Sequence, residues 1–341
     1  MALQIRPLDP HDDDALTAWH ATYHASASFK RPYSTPRVLE EMRAELRADN
    51  PGERALAYSG SVDGRFAVVG AMYLPLKDNL QQAYLEVNTL PELRNRGYGS
   101  QMLELLTQVA RQHDRSILAT EASYPYDGPP DGAGHLYVEF LRHRGFDFGL
   151  GDVQRVLGLP VPESLLEQLM AEAEPHHRDY ELRMFKGPVP EDIIDSFGDL
   201  VGSLIVEAPR GEMELEAEVM DRERIRADEK LFEASGRTKY TTVAESHDGA
   251  LVAYTDLVVP EFDPGRVFQW GTLVRSEHRG HRLGQAVKAQ NLLWLQRERP
   301  DLRTLRTYNA EINEHMVRVN DALGFRPVER LGEFQKKLGR P

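Results

Sequence analysis

Cysteine is missing from all 341 residues of the chain. Its absence excludes disulfides, thiolate metal ligands and a cysteine nucleophile, so any group transfer must be direct or use another residue type. Long apolar runs are missing as well. No stretch approaches the roughly 20 residues that span a bilayer, and Met1-Ala2-Leu3-Gln4-Ile5-Arg6 has no signal-peptide core. The expected location is therefore cytoplasmic, with no membrane partner. Positive charge is in deficit, with 41 Lys and Arg against 54 Asp and Glu, a formal net charge of −13. A surface of that sign repels phosphodiester backbones, so nucleic acid is not an expected partner. The excess acid mainly serves solubility and favours cationic partners weakly. His20 and His24 lie one helical turn apart but lack a third ligand nearby. They read as a helix face, and no metal site is expected.

What is present has the proportions of a globular protein, with 41% hydrophobic residues, and a length comfortable for two domains. The expected elements repeat. A strand at about 3–8 precedes helices at about 13–27 and 36–48, then strands at about 53–60, 65–75 and 82–90. A helix at about 98–114, a strand at about 116–122, a helix at about 134–144 and a strand at about 146–159 follow. A helix at about 162–173 and the polar joint Glu174-Pro175-His176-His177-Arg178 connect to a restart at Tyr180. Helices at about 190–205 and 215–235, strands at about 239–246, 250–259 and 266–275, a helix at about 282–297, a strand at about 303–308 and a helix at about 312–323 then repeat the order before a final strand or hairpin. The reading is two tandem domains of α/β (α+β) class, at about 1–160 and 179–341, joined by a connecting helix and linker at about 161–178.

The same stretch of each copy carries a basic, glycine-bearing loop between a strand and a helix. In the first it is Arg94-Asn95-Arg96-Gly97-Tyr98-Gly99-Ser100, after Thr89-Leu90. In the second it is Arg279-Gly280-His281-Arg282-Leu283-Gly284, after Leu273-Val274. Amide hydrogens at a helix start have no intrahelical partner, the helix dipole makes that end positive, and glycine lets an anion approach the backbone. Arginine adds a planar, charge-assisted donor set. The pattern suits a pyrophosphate. It is not the dinucleotide fingerprint, because Met102 stands where a third glycine would fall, nor a P-loop, because no Gly-Lys-Ser/Thr follows.

Arg-x-x-Gly-x-Gly between strand and helix resembles the acyl-CoA loop of the GNAT superfamily of acyl-CoA-dependent N-acyltransferases. Arg94, Gly97 and Gly99 fit it, whereas the second copy has Arg282 at the first glycine place. Asn313-Glu314-His315-Met316-Val317-Arg318-Val319-Asn320-Asp321-Ala322-Leu323-Gly324-Phe325 resembles the superfamily's second signature, of which the first copy keeps only the closing part through Gly145-Phe146. The two-copy layout is similar to that of mycothiol synthases, an architectural likeness that leaves the substrate open. The resemblance implies two GNAT-like domains, each a mixed, mostly antiparallel sheet flanked by helices. It also implies acetyl-CoA or another short-chain acyl-CoA as cofactor, held by Thr89, Leu90, Arg94, Arg96, Gly97, Tyr98, Gly99 and Ser100. The matching set is Leu273, Val274, Arg279, Gly280, His281, Arg282, Leu283 and Gly284, with Asn313 on the pantetheine arm unless it only caps a helix.

Amine acylation by a thioester needs a neutral amine, stabilisation of an oxyanion and a proton for the leaving thiolate. Glu86, on the strand before the first loop, is the candidate base. Gly271 stands near that place in the second copy, leaving Asp256, Glu216 or a water chain. Many members of the superfamily carry Tyr four residues before the closing Gly, where this chain has Leu141 and Asn320; Tyr308 is the substitute acid. The second copy, with the fuller second signature, is the expected seat of catalysis. The expected reaction is direct acetyl transfer to a small-molecule primary amine by a monomer or homodimer. The rivals are an acyl-CoA-binding pseudoenzyme and a protein lysine or N-terminal acetyltransferase.

Overall fold

The computed structural model describes residues 2–339, which divide into two compact units. Of the described residues, the first unit comprises 2–122, 134–148 and 333–339. Its elements are β1 (Gln4–Pro7), α1 (Asp13–Ala27), α2 (Leu39–Arg47), β2 (Glu53–Val62), β3 (Arg65–Pro75), β4 (Gln82–Thr89), α3 (Tyr98–Gln112), β5 (Ile117–Pro125, as far as Ala122) and α4 (Leu136–Arg142). Asp12 caps α1 by accepting from the Ala15 amide at 3.0 Å, with Asp13 and Asp14 following in the first turn. Asp63 and Gly64, both at positive φ, turn β2 back onto β3. Strands run in the order β1-β2-β3-β4-β5. The pairs up to β3–β4 are antiparallel and β4–β5 is parallel. Leu16, Trp19, Tyr23 and Met42 from α1 and α2 pack on Val69, Ala71 and Tyr73 of β3. On the other face α3 comes close enough that a Cβ at Gly70 would lie 2.8 Å from Met102.

The second unit comprises 123–133 and 149–332. It holds β6 (Asp147–Gly158, from Gly149 on), α5 (Glu163–Ala173), β7 (Tyr180–Lys186), α6 (Ile194–Gly202), α7 (Leu204–Glu207), α8 (Arg222–Ala234), β8 (Arg237–Ser246), β9 (Leu251–Pro260), β10 (Arg266–Val274), α9 (Leu283–Glu298), β11 (Thr304–Ala310), α10 (Glu314–Leu323) and β12 (Arg326–Lys337, as far as Gly332). The strand order is β6-β11-β10-β9-β8-β7, with β10–β11 parallel and the other neighbours antiparallel. Both units therefore have a mixed, mostly antiparallel sheet between helices.

The units are not the chain halves expected at 1–160 and 179–341. β6, expected to close the first domain, pairs with β11 from Asp152↔Ala310 to Gly158↔Thr304. Its Leu157 joins the core of Leu292, Leu305 and Leu323. The segment expected as a linker belongs to that same core through Val161, Leu166 and Leu169. The Gln296 side chain binds the Val161 backbone on both sides, accepting at 2.7 Å and donating at 3.1 Å.

The helices expected at 190–205 and 215–235 are also shorter. The cause is an extended segment lying on a glycine stripe of α6. A Cβ at Gly198 would fall 2.1 Å from the Met220 carbonyl oxygen, and one at Gly202 would fall 2.3 Å from that of Glu218. The Glu218 amide instead donates to Gly202 O at 3.0 Å, and α8 starts only after Asp221, whose carboxylate caps Arg224 N. Gly198→Ala is thus expected to destabilise the protein by about 2–3 kcal/mol, because the obstacle is backbone and cannot rotate away. Urea denaturation measures the loss; a change below about 0.5 kcal/mol contradicts this packing.

Candidate functional site

The two basic loops have the same build. A short 3₁₀ turn, Pro91–Leu93 in one and Ser276–His278 in the other, follows the strand. The chain then enters the helix through a left-handed residue, Gly97 at φ 82° or Arg282 at φ 52°. The first arginine braces the loop: Arg94 Nε donates to Thr89 O at 3.3 Å, and Arg279 Nε donates to Val274 O at 3.3 Å. Further bonds tie Arg94 to the Tyr137 hydroxyl at 2.7 Å and to Ser26, and tie Arg279 to Glu207 at 3.0 Å. These arginines, expected as phosphate ligands, are struts of the cradle. With the loops held in this way, the amides of residues 95–100 and of residues 280–285 have no acceptor among the described residues. Each run of donors opens at a helix start, where partial positive charge gathers.

The loops differ in their cations. Arg96 is exposed and makes no ion pair among the described residues, and Arg144 donates to Ser100 Oγ while stacking on Phe140. Arg282 reaches back to Glu172 O at 3.2 Å, and His281 Nδ1 donates to His176 O at 3.0 Å. Leu283 is buried and anchors α9 in the core with Val287, whereas a Cβ at Gly284 would meet only ordinary contacts, Val274 at 3.6 Å and His315 at 4.0 Å.

Beside each loop a parallel strand pair comes apart. β4 and β5 pair from Gln82↔Ile117 only to Tyr84↔Ala119, and β10 and β11 pair from Arg266↔Thr304 to Gln269↔Thr307. A threonine hydroxyl closes the paired part in both: Thr120 Oγ1 donates to Leu85 O at 2.8 Å, and Thr307 Oγ1 donates to Gln269 O at 3.3 Å. Beyond them lies a gap. The Leu90 amide is used by Ala67 O at 3.0 Å and that of Arg275 by Val252 O at 2.9 Å. By antiparallel alternation, Val87 and Thr89, and likewise Thr272 and Val274, turn their amides into the gap. Leu90 and Leu273 are thus not gap-facing donors; they face the neighbouring strand.

An acetyltransferase (GNAT) family model matches residues 18–125. Over its full length the chain is similar to a tandem GNAT protein of the clavulanic acid biosynthesis pathway, with 26% identity, 100% of both chains covered and a TM-score of 0.78. It is also similar in fold to a GCN5-related N-acetyltransferase from Sphaerobacter thermophilus, with 14% identity, 99% and 96% coverage and a TM-score of 0.63. No curated protein matches the chain. The protein has the tandem GNAT-superfamily fold. That fold supports acyl transfer to an acceptor, and GNAT folds generally bind acyl-CoA. No helix among the described residues is long and apolar enough to cross a membrane.

The two units diverge around the gap. In the second, the β9–β10 ladder shifts register between Gln269 and Thr272, a bulge formed by Trp270 and Gly271 opposite Asp256. Only glycine fits there, because a Cβ at Gly271 would lie 2.2 Å from the Tyr254 hydroxyl. Burial holds that hydroxyl well above the usual tyrosine range. Asp256 is buried, accepts from Thr241 Oγ1 at 2.6 Å and pairs with Lys239 at 3.4 Å. In the first unit the β3–β4 ladder runs without a shift from Val68↔Thr89 to Tyr73↔Tyr84.

The expected catalytic residues are scattered. Glu86 lies in the first unit and Tyr308 and Asn320 in the second. Glu86 Oε1 is 2.5 Å from Arg37, which also holds Glu45 at 2.7 Å and the Tyr73 hydroxyl at 2.6 Å. A carboxylate serving as the counter-ion of a half-buried arginine is poorly placed to take a proton. Tyr308 pairs with Gln154 across the β6–β11 ladder, and its side chain lies on the face of β11 opposite Asn309. Asn313 caps α10 by accepting from Met316 N at 3.2 Å. Asn320 is buried in hydrogen bonds to Lys288 and Asn309, partners that sequence reasoning missed. Glu86→Gln is expected to lower stability by about 1–3 kcal/mol by removing one of the two carboxylates that hold Arg37 while leaving acyl transfer within about twofold. Chemical denaturation and initial rates read the two effects; a hundredfold loss of rate with unchanged stability restores Glu86 as the base.

Proposed function

We propose that the protein is an acyl-CoA-dependent N-acyltransferase that passes an acetyl or other short acyl group directly to a primary amine of a small molecule, with the chemistry in the second unit. The observation that carries this reading is the bulge at Trp270-Gly271 beside the parted strands β10 and β11, which the first unit lacks. Acetyl-CoA, when bound, supplies the thioester whose carbonyl carbon the amine attacks. The free amides of residues 280–285 are placed to take the diphosphate, and those of Thr272 and Val274 to bind the pantetheine arm or the developing oxyanion. Asp256, opposite the bulge, is already held by Thr241 and Lys239. Trp270, Phe232 and Arg237 form an aromatic and cationic edge to the bulge, the Phe232 ring and the Arg237 guanidinium each 5.4 Å from the Trp270 ring.

The first unit supports a different role. Its loop keeps both glycines, the exposed Arg96 and a second cation at Ser100, a strong cradle for an anion, next to a regular strand without a bulge. It reads as a site that binds acyl-CoA without turning it over.

Titration calorimetry with acetyl-CoA, followed by thiol release against a panel of small amines, tests both roles. Gly284→Asp puts a carboxylate among the second unit's amides and is expected to weaken acetyl-CoA binding there by about 10–100-fold and to remove turnover. Gly97→Asp is expected to remove binding in the first unit and leave turnover. If neither substitution changes acetyl-CoA binding, the cradles are misassigned.

A further inference from the structure

A buried lysine stands under the gap of the second unit. Lys288 lies one turn beyond Gly284 on α9, 2% exposed, and its ammonium donates to Asn320 Oδ1 at 2.8 Å. Asn320 Nδ2 donates in turn to Asn309 Oδ1 at 3.0 Å, which also accepts from Arg155 at 2.8 Å. Met316 Sδ is 3.8 Å from the ammonium and the Phe325 ring 5.6 Å away. Asn309 belongs to the part of β11 that has left β10, so the cluster sits where the strands separate, between the helix that offers the free amides and the helix that closes the unit.

The first unit has the same three places. Counting four residues on from Gly99, four back from Gly145 and two on from Thr120 gives Leu103, Leu141 and Ala122, all buried. The fold therefore does not need polar groups here, since one copy fills the positions with hydrocarbon. The charged group appears only in the copy that has the bulge.

Resting on the acyl-transfer reading above, we propose that Lys288 is the proton donor to the sulfur that leaves in the second unit, held in place by Asn320. The amine nitrogen bonds to the thioester carbon, and the carbon–sulfur bond breaks with its electron pair on sulfur. One Lys288 N–H proton then passes to that sulfur. The neutral lysine is recharged by the proton that the attacking nitrogen sheds, so thioester and amine become amide and thiol with the protein unchanged. Burial pulls the lysine down to about 7, where the charged form is present near neutrality yet gives up its proton readily. The charged and titratable groups on the elements packed against it are Arg155 of β6, linked through Asn309, and His315 and Asp321 of α10; burial also pulls His315 down.

The test uses the full chain with ¹³C-labelled lysine, Lys288→Arg to assign the Lys288 resonance, and Lys288→Leu/Asn320→Leu, which copies the pair that the first unit already folds with. The Lys288 signal is expected to titrate near neutrality and to move when free CoA, bearing its thiol, is added. The double variant is expected to bind acetyl-CoA within about threefold of the parent while kcat falls by about 10²–10⁴-fold, and the alkaline fall of its pH–rate profile disappears. A Lys288 resonance that ignores CoA, together with unchanged kcat in the double variant, overturns the proposal while leaving acyl transfer standing. Absence of transfer by the parent to any amine overturns the acyl-transfer reading itself, and proton donation with it.

Discussion

The proposed chemistry depends on backbone amides left without partners at two helix starts. Such donors are usually covered by a capping side chain, yet neither α3 nor α9 has one. What keeps them open is the arginine that begins each loop, which spends its guanidinium on the carbonyl at the end of the preceding strand. That bond fixes the turn between strand and helix. The neighbouring strands, no longer paired, leave a gap beside the loop. The charge that an anion meets is thus mostly that of the helix end and of the second basic residue, Arg96 or Arg282.

From this shared frame the two copies have moved in opposite directions. The first has the more permissive loop, with glycine at the left-handed position, an additional cation from Arg144 and an apolar interior at Leu103 and Leu141. The second accepts an arginine at φ 52°, a region that disfavours a Cβ, but it has the bulge, Asp256 and the Lys288 cluster. In the proposed function one copy holds an anion and the other changes one. A duplicated fold permits that split, because a unit that only binds need not keep bulges or buried charge.

The architecture was legible because each copy repeats the same periodic pattern, and the loops were legible because glycine and arginine recur at matched spacing. The ownership of β6 and β12 was not, since strand pairing between distant segments depends on partners that local pattern does not name. The bracing by Arg94 and Arg279 was hidden for a related reason: residue type shows a donor, while its acceptor, a carbonyl five residues back, emerges only from the turn. Lys288 was hidden because a lysine on a helix reads as solvated. Its position in the same α9 stripe as Gly284, Asn291 and Leu295, all facing protein, was the signal available. Comparing the two copies position by position, Leu103 against Lys288, would have exposed it.

A lysine kept at such a place needs a reason. With its folded value near 7 against 10.5 in an open chain, the charged form is disfavoured by on the order of 4–5 kcal/mol, at about 1.4 kcal/mol per unit. The sign is that of a depressed base: the penalty is full below about pH 7, shrinks as pH rises and is gone above the open-chain value. Near neutrality the protein therefore holds a strained charge that Leu103 shows it could do without. The hydrogen bonds to Asn320 Oδ1 and Met316 Sδ leave that penalty standing. That penalty is a standing drive to lose a proton, close to where β11 parts from β10.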